Sequence, residues 1–222
     1  MKKAVLIYAL RLTLERAIGL LLFLAGTGGS IEGRGILWFA VYFAVMAGSM
    51  FFLIRHGDLL KARSNPSRDT PLWDKLILTL FWLLAYFAVY YVSGKAGGDG
   101  AVTWLTAAGI VLYLLSSLLT DRALTVNPFA ESTARIQQER GQTAVDKGPY
   151  GVIRHPMYAA ILLWCVGIVL VFPVWPTVIV SAVTAMLIVV RTALEDGMLR
   201  RDLEGYEAYA KRTRWRLIPF VW

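Results

Sequence analysis

The chain has 222 residues, 57% of them hydrophobic, and carries a formal charge of +8. A soluble domain runs nearer to about 45–50% apolar, and the apolar residues here come in long blocks, which excludes an ordinary soluble domain and points to an all-α polytopic membrane helix bundle. The single Cys165 excludes an internal disulfide and a Cys-based metal site, and the two histidines, His56 and His155, fall in no HxxH or HExxH pattern, which argues against a catalytic metal.

The first apolar block is Ala4 to Ala25. Arg11, Glu15 and Arg16 interrupt it, which argues against a cleaved signal and leaves a spanning helix or an interfacial one; the spanning reading is favoured. Arg11 and Glu15, four apart, are expected to pair on one face. A Gly-rich turn follows, and Ile36 to Ile54 is long enough to cross the hydrocarbon core. Arg55 to Pro71 reads as a basic loop carrying Arg55, Lys61, Arg63 and Arg68. Leu76 to Ser93 and Gly100 to Thr120 make the third and fourth spans, joined by a short Gly-rich link.

Leu124 to Arg154 is the longest polar insertion, opened by the turn Asn127-Pro128-Phe129 and punctuated by Gly141, Gly148 and Gly151. Ser132 to Arg140 fits either a short helix or an extended strap. From Met157 to Val190 there are 34 residues without Asp, Glu, Lys or Arg, broken only around Pro173 and Pro176. That pattern predicts a tight helical hairpin. Its first arm, Met157 to Phe172, spans about 24 Å at 1.5 Å per residue, short for a full crossing. Arg191 to Trp222 returns to polar sequence as an amphipathic helix continuing from the sixth span, ending in interfacial aromatics.

Eighteen lysines and arginines fall in the two tails and in the loops after spans two and four, against only Arg34 and Lys95 in the alternate loops. This bias explains the net charge by topology rather than by nucleic acid, and places both termini and the polar insertion on the cytoplasmic side. Two polar groups then stand out. Arg154-His155 precedes Pro156, which suits the first position of a helix, so Met157 and Tyr158 occupy its first turn and His155 its cap. Free amides there suit a polar or anionic ligand; the competing reading is a headgroup anchor, with Arg154 on lipid phosphate. Arg191 and Glu195, four apart, share a helix face and read either as a helix-end ion pair or as a site, while Asp196 lies on another face. A tight hairpin brings these two groups together at a border between lipid and water. Such a pocket suits a reaction between a water-soluble cofactor and a lipophilic substrate.

At these residues the sequence resembles the isoprenylcysteine carboxyl methyltransferase family and its many bacterial members. The resemblance runs from about Asp121 to Pro219. It rests on Asn127-Pro128-Phe129, Arg135 to Gly141, Gly148-Pro149-Tyr150, Arg154-His155-Pro156-Met157-Tyr158, Arg191-x-x-x-Glu195, Gly205-Tyr206-x-x-Tyr209 and Ile218-Pro219. It implies an integral-membrane methyltransferase using S-adenosylmethionine, with residues 1–122 as N-terminal transmembrane helices and 123–222 as the cofactor-binding and catalytic region. Carried over by motif, Gln137 (or its neighbour Gln138), Gln142, Thr143, Ala144, Val145, Tyr150, His155, Pro156, Met157, Tyr158 and Glu195 would hold the cofactor. Arg191 would bind the substrate carboxylate, and Arg191 with Glu195 would be the catalytic pair.

A carboxylate is a nucleophile at neutral pH, so this chemistry needs alignment and dehydration rather than a general base. The implied acceptor is the carboxylate of a prenylcysteine-like lipophile or lipidated substrate in a bacterial inner membrane. Two other readings share the hairpin. An NADPH-dependent membrane reductase of the sterol reductase type would bind NADPH. A phospholipid N-methyltransferase would need a base, for which His155 and Glu195 are the local candidates. A non-enzymatic membrane protein would bind neither nucleotide.

Overall fold

The computed structural model describes residues 2–54, 57–64 and 70–222. The apolar blocks fold as helices: α1 (Lys2–Thr27), α2 (Gly33–Leu53), α3 (Gly57–Ser64), α4 (Leu72–Leu83) running through a π-turn (Leu84–Ala88) into α5 (Val89–Lys95), α6 (Trp104–Val126), α7 (Pro156–Val171), α8 (Trp175–Asp202) and α9 (Tyr206–Arg212). Among the described residues the only β pairing is the bridge between Ile153 and Trp215.

Gly33–Phe51, Leu72–Lys95, Trp104–Val126 and Trp175–Asp202 are each long and apolar enough to cross a membrane. The other two expected segments are also helices. α1, with 26 residues, runs about 39 Å but carries Arg11, Glu15 and Arg16, and α7 is apolar but only 16 residues long. Leu72, Leu76, Leu80 and Leu83 on α4 and Ile179, Val183, Met186 and Val190 on α8 lie exposed in single stripes. Apolar stripes of that extent belong against lipid.

With lipid tails outside, helix association depends on close backbone packing and buried polar bonds more than on hydrophobic burial. A Cβ at Gly109 would stand 2.5 Å from the Gly167 carbonyl oxygen, so α6 and α7 touch backbone to backbone. A Cβ at Gly94 would meet the Phe23 carbonyl oxygen at the same distance, which draws α5 onto α1. Ser116 Oγ donates to the Ala160 carbonyl at 2.7 Å, and the Ser93 and Thr177 hydroxyls pair at 2.7 Å. At the far end of the bundle the Asp99 carboxylate accepts the Gly35 and Gly100 amides, each at 2.9 Å, which caps α2.

The chain departs from the sequence reading in the basic loop and at the C-terminus, and decides for the strap in the polar insertion. The basic loop contains the short α3, while Arg55, His56 and Arg68 lie outside the described residues. The polar insertion is a strap with only two 3-10 turns, Gln138–Arg140 and Gly148–Gly151, because its glycines, prolines and side-chain turn bonds compete with helix. The C-terminal amphipathic stretch is two helices rather than one. Gly205 takes a left-handed φ of +77° between them, which breaks α8 at Leu203 and lets α9 fold back with Tyr206, Tyr209 and Ala210 buried.

Candidate active site

A cavity of about 340 Å³ lies between the strap, the α7–α8 hairpin and the inner faces of α1, α2, α4 and α6. That volume is within the usual range for a small-molecule site, roughly 300–1,000 Å³. Every residue singled out from the sequence lines it: Gln137, Gln142, Thr143, Ala144, Val145, Tyr150, His155, Pro156, Met157, Tyr158, Arg191 and Glu195.

The hairpin supplies the central geometry. Pro156 opens α7 with His155 as its N-cap. One turn into α7, the Tyr158 hydroxyl donates to Glu195 Oε2 on α8, 37 residues away. The Arg191 guanidinium lies over the Tyr158 ring, 5.1 Å from its centroid. Arg191 and Glu195 thus face the cavity on one side of α8, as their spacing requires.

Arg191 is also held from outside the hairpin. Its Nε donates to Asp74 Oδ1 at 2.8 Å and its Nη2 to the Ser132 carbonyl at 3.0 Å. The other Asp74 oxygen accepts the Ala134 amide at 2.8 Å. Asp74 therefore ties the first turn of α4 to the strap and to α8. The sequence reading missed it. Its signal was a lone carboxylate at the start of an apolar span, where a charge needs a partner.

Asp196 was also passed over, because it points away from Glu195. It is the hub of the polar end. Arg154 grips it from two nitrogens, Nε to Oδ1 at 2.7 Å and Nη2 to Oδ2 at 3.2 Å. Arg200 and Arg216 donate to Oδ2 at 3.1 and 3.0 Å, and the Tyr206 hydroxyl to Oδ1 at 3.0 Å. His155 Nε2 lies 3.4 Å from the same oxygen. The Arg154 side chain is 2% exposed and Asp196 fully buried. This corrects the headgroup-anchor reading of Arg154, whose Nη1 also binds the Thr213 and Arg214 carbonyls. The hub clamps the C-terminal segment beside Arg154-His155, whose amides donate to the Trp215 and Arg216 carbonyls. His155 is thereby fixed, its ring stacked on Tyr158 at 5.6 Å with 4° between planes.

The strap is held by its own side chains. Gln137 is 1% exposed and lines the cavity, whereas Gln138 is exposed. Gln137 Nε2 donates to the Phe129 carbonyl at 2.7 Å, and its amide to Gln142 Oε1 at 2.6 Å. Arg140 spans Gln137 Oε1 and the Pro128 carbonyl. Tyr150 sits in the second 3-10 turn, with its carbonyl accepting the Tyr209 hydroxyl at 2.8 Å. Burial pushes the Tyr150 phenol up to about 12, so it stays neutral.

The polar end also has unused donors. The amides of Thr143, Ala144 and Val145 on the strap, and of Met157 at the start of α7, make no backbone hydrogen bond among the described residues. Thr133 Oγ1, buried in the cavity wall, has no partner among the described residues. These groups fit a ligand with several acceptors, such as a nucleoside joined to an amino acid. Deeper in, the cavity is lined by Phe81, Trp82, Tyr86, Ile161 and Trp164, a surface for an apolar partner. One cavity thus combines a polar, donor-rich mouth with an aromatic interior.

Residues 101–204 match a protein family described as phospholipid methyltransferase. No curated protein matches the chain.

Proposed function

We propose that the chain is an S-adenosylmethionine-dependent carboxyl O-methyltransferase acting on a lipophilic acid, a reading supported by the match of residues 101–204 to a family described as phospholipid methyltransferase. The observation that carries the proposal is the shared cavity. The motif residues of strap, hairpin and α8 all line it, and it runs from a polar mouth to an aromatic interior. The family supports methyl transfer in a membrane setting; the acceptor and the cofactor belong to the proposal.

In this reading Gln137, the strap Gln142–Val145, Tyr150, His155 to Tyr158 and Glu195 hold S-adenosylmethionine, which supplies an electrophilic methyl group. Glu195 meets its polar periphery, oriented by the Tyr158 hydroxyl. The aromatic and apolar groups of the cavity would leave a bound sulfonium without a tight counter-ion, so the loss of its charge on transfer would not be opposed. Arg191 directs its Nη1 edge to the acceptor carboxylate, since Asp74 and Ser132 occupy Nε and Nη2. A permanently charged guanidinium orients the carboxylate without taking a proton from it. The enclosing strap excludes water, which strengthens the nucleophile. Residues 1–122 supply the lipid-side wall and 123–222 the cofactor region, with the active site and both termini cytoplasmic as the distribution of Lys and Arg suggests.

The test is binding of S-adenosylhomocysteine to the purified protein, followed by methyl transfer to prenylcysteine analogues. Binding at micromolar concentration and methyl ester formation are expected, with Arg191→Ala losing turnover and Glu195→Gln losing cofactor affinity. Full activity of both variants on every accepted substrate would overturn the assignment. Binding of NADPH in place of S-adenosylhomocysteine would overturn the methyltransferase reading as a whole.

A further inference from the structure

The inner end of the cavity is not the plain apolar sleeve that an isoprenoid chain alone would require. Arg16, near the middle of α1, lines it together with Tyr42, Tyr86 and Tyr113. Its guanidinium lies 4.6 Å from the centroid of the Tyr42 ring. Tyr90 and Tyr113 each lie 5.8 Å from that ring, which encloses the cation in aromatic groups. Among the described residues Arg16 makes no ion pair. It donates from Nη1 to the Leu12 carbonyl at 3.4 Å and also bonds the Tyr113 hydroxyl, while its buried Nε has no acceptor. Glu15, its neighbour in sequence, is turned to Arg11 instead, at 2.8 Å. Trp38, stacked on Tyr42 at 5.7 Å, buries an Nε1–H that also lacks an acceptor among the described residues. Glu15 Oε2 and the Tyr90 hydroxyl are likewise buried without a partner among the described residues, so the region holds several unsatisfied polar groups around the guanidinium.

A cation at membrane depth without a counter-charge is costly, and such residues mark ligand paths more often than packing. Tyr158 and Trp164 both line the cavity on α7, six residues apart, which puts the aromatic level about 9 Å below the Tyr158–Glu195 contact. On α6, Tyr113 and Asp121 line the cavity eight residues apart, about 12 Å along the axis. Asp121, satisfied by Ser49 Oγ at 2.7 Å, is therefore a level nearer the mouth than the tyrosines around Arg16.

We infer that Arg16 is a specificity-determining residue for the methyl acceptor: the substrate carries a second, anionic group roughly 10 Å from the atom that is methylated, and Arg16 receives it. The inference rests on the methyltransferase reading and narrows it from lipophilic acids in general to acids with two polar ends. The cation–π contact keeps the guanidinium poised, and the tyrosine hydroxyls around it add neutral donors.

The experiment compares two acceptors in the purified protein: 2-(geranylthio)acetate, a thioether with one carboxylate, and the same molecule with a terminal isoprene methyl carbon oxidised to a second carboxylate. The wild type is expected to show at least a tenfold lower KM for the dicarboxylate. Arg16→Gln should abolish that preference in a protein that still binds S-adenosylhomocysteine, and Arg16→Lys should keep part of it. Equal KM values in the wild type would overturn the inference, as would a preference that survives Arg16→Gln. The same comparison is read without turnover by quenching of tryptophan fluorescence, since Trp82 and Trp164 line the cavity. An Arg16-dependent preference in that binding without any S-adenosylhomocysteine binding would sink the methyltransferase reading alone. Cofactor binding and methylation with no preference for the dicarboxylate would sink this inference alone.

Discussion

Arg191 Nε and Asp74 Oδ1 lie 2.8 Å apart, joining α8 to α4 across 117 residues of chain, with both side chains almost fully withdrawn from solvent. The pair gives the proposed substrate-binding arginine a fixed edge. It also makes α4, outside the matched residues 101–204, part of the site.

Breaking one side of that pair leaves an unpaired buried charge. Asp74→Ala is expected to destabilise the protein by about 3–5 kcal/mol. Combined with Arg191→Met the loss should be smaller than the two single losses added, because the second change removes the stranded cation. Thermal unfolding of the four proteins in one detergent reads the coupling. Additive losses would show that the two side chains act independently.

Asp196 gathers Arg154, Arg200, Arg216, Tyr206 and His155. Asp196→Asn keeps the shape and removes the charge, so three arginines lose their common anion. We expect a melting temperature lower by several degrees and S-adenosylhomocysteine affinity reduced at least tenfold, through His155 and the displaced C-terminal clamp. Calorimetric titration checks the affinity. Unchanged affinity in a destabilised variant would confine Asp196 to folding.

Tyr158→Phe removes the donor to Glu195 while keeping the ring under Arg191. A hydrogen bond to a charged group contributes about 1.5–3 kcal/mol, so cofactor affinity should fall roughly 10- to 100-fold with little change in melting temperature. Tyr158→Leu, which also removes the ring, should cost more. Equal effects of the two variants would show that the hydroxyl is idle.

Gly109→Ala places a methyl 2.5 Å from the Gly167 carbonyl oxygen. Backbone cannot yield as a flexible side chain does, so α6 and α7 must separate, at a cost of about 1–3 kcal/mol. The shift should also disturb Tyr158, nine residues before Gly167 on the same helix α7. Methylation assays run beside thermal unfolding would reveal both effects, and a neutral result would contradict the close approach.

Stability at alkaline pH should respond to Tyr150. Burial raises its phenol from the ordinary value to about 12, so the neutral form is favoured in the folded state. A raised folded value means stability fully present below about pH 10 and lost progressively as pH climbs towards 12. Tyr206 and Tyr209 are raised by burial too. Tyr150→Phe should therefore flatten the fall in melting temperature between about pH 9 and 11 without abolishing it.

The hairpin and its site were legible because their signals are local. Length and apolarity marked the helices, Pro156 marked the start of α7, and the 34-residue uncharged run predicted a turn that would bring Tyr158 and Glu195 together. Gln137 rather than Gln138 faces the cavity, a choice of register that the sequence left open because an extended strap imposes no helical period. The break at Gly205 was hidden for a related reason: the apolar spacing on either side of it stays in phase with a single helix.

By itself the sequence determined a polytopic helix bundle, with its polar segments gathered near one hairpin, because block hydrophobicity and helix spacing follow from residue order alone. The tertiary structure decided what each charge does. Asp74 meets Arg191, and Asp196 meets Arg154. Each outcome depends on which distant element supplies the counter-charge. At low dielectric the nearest opposite charge dominates, and nearness across 40 to 120 residues is a property of the fold rather than of any spacing along the chain.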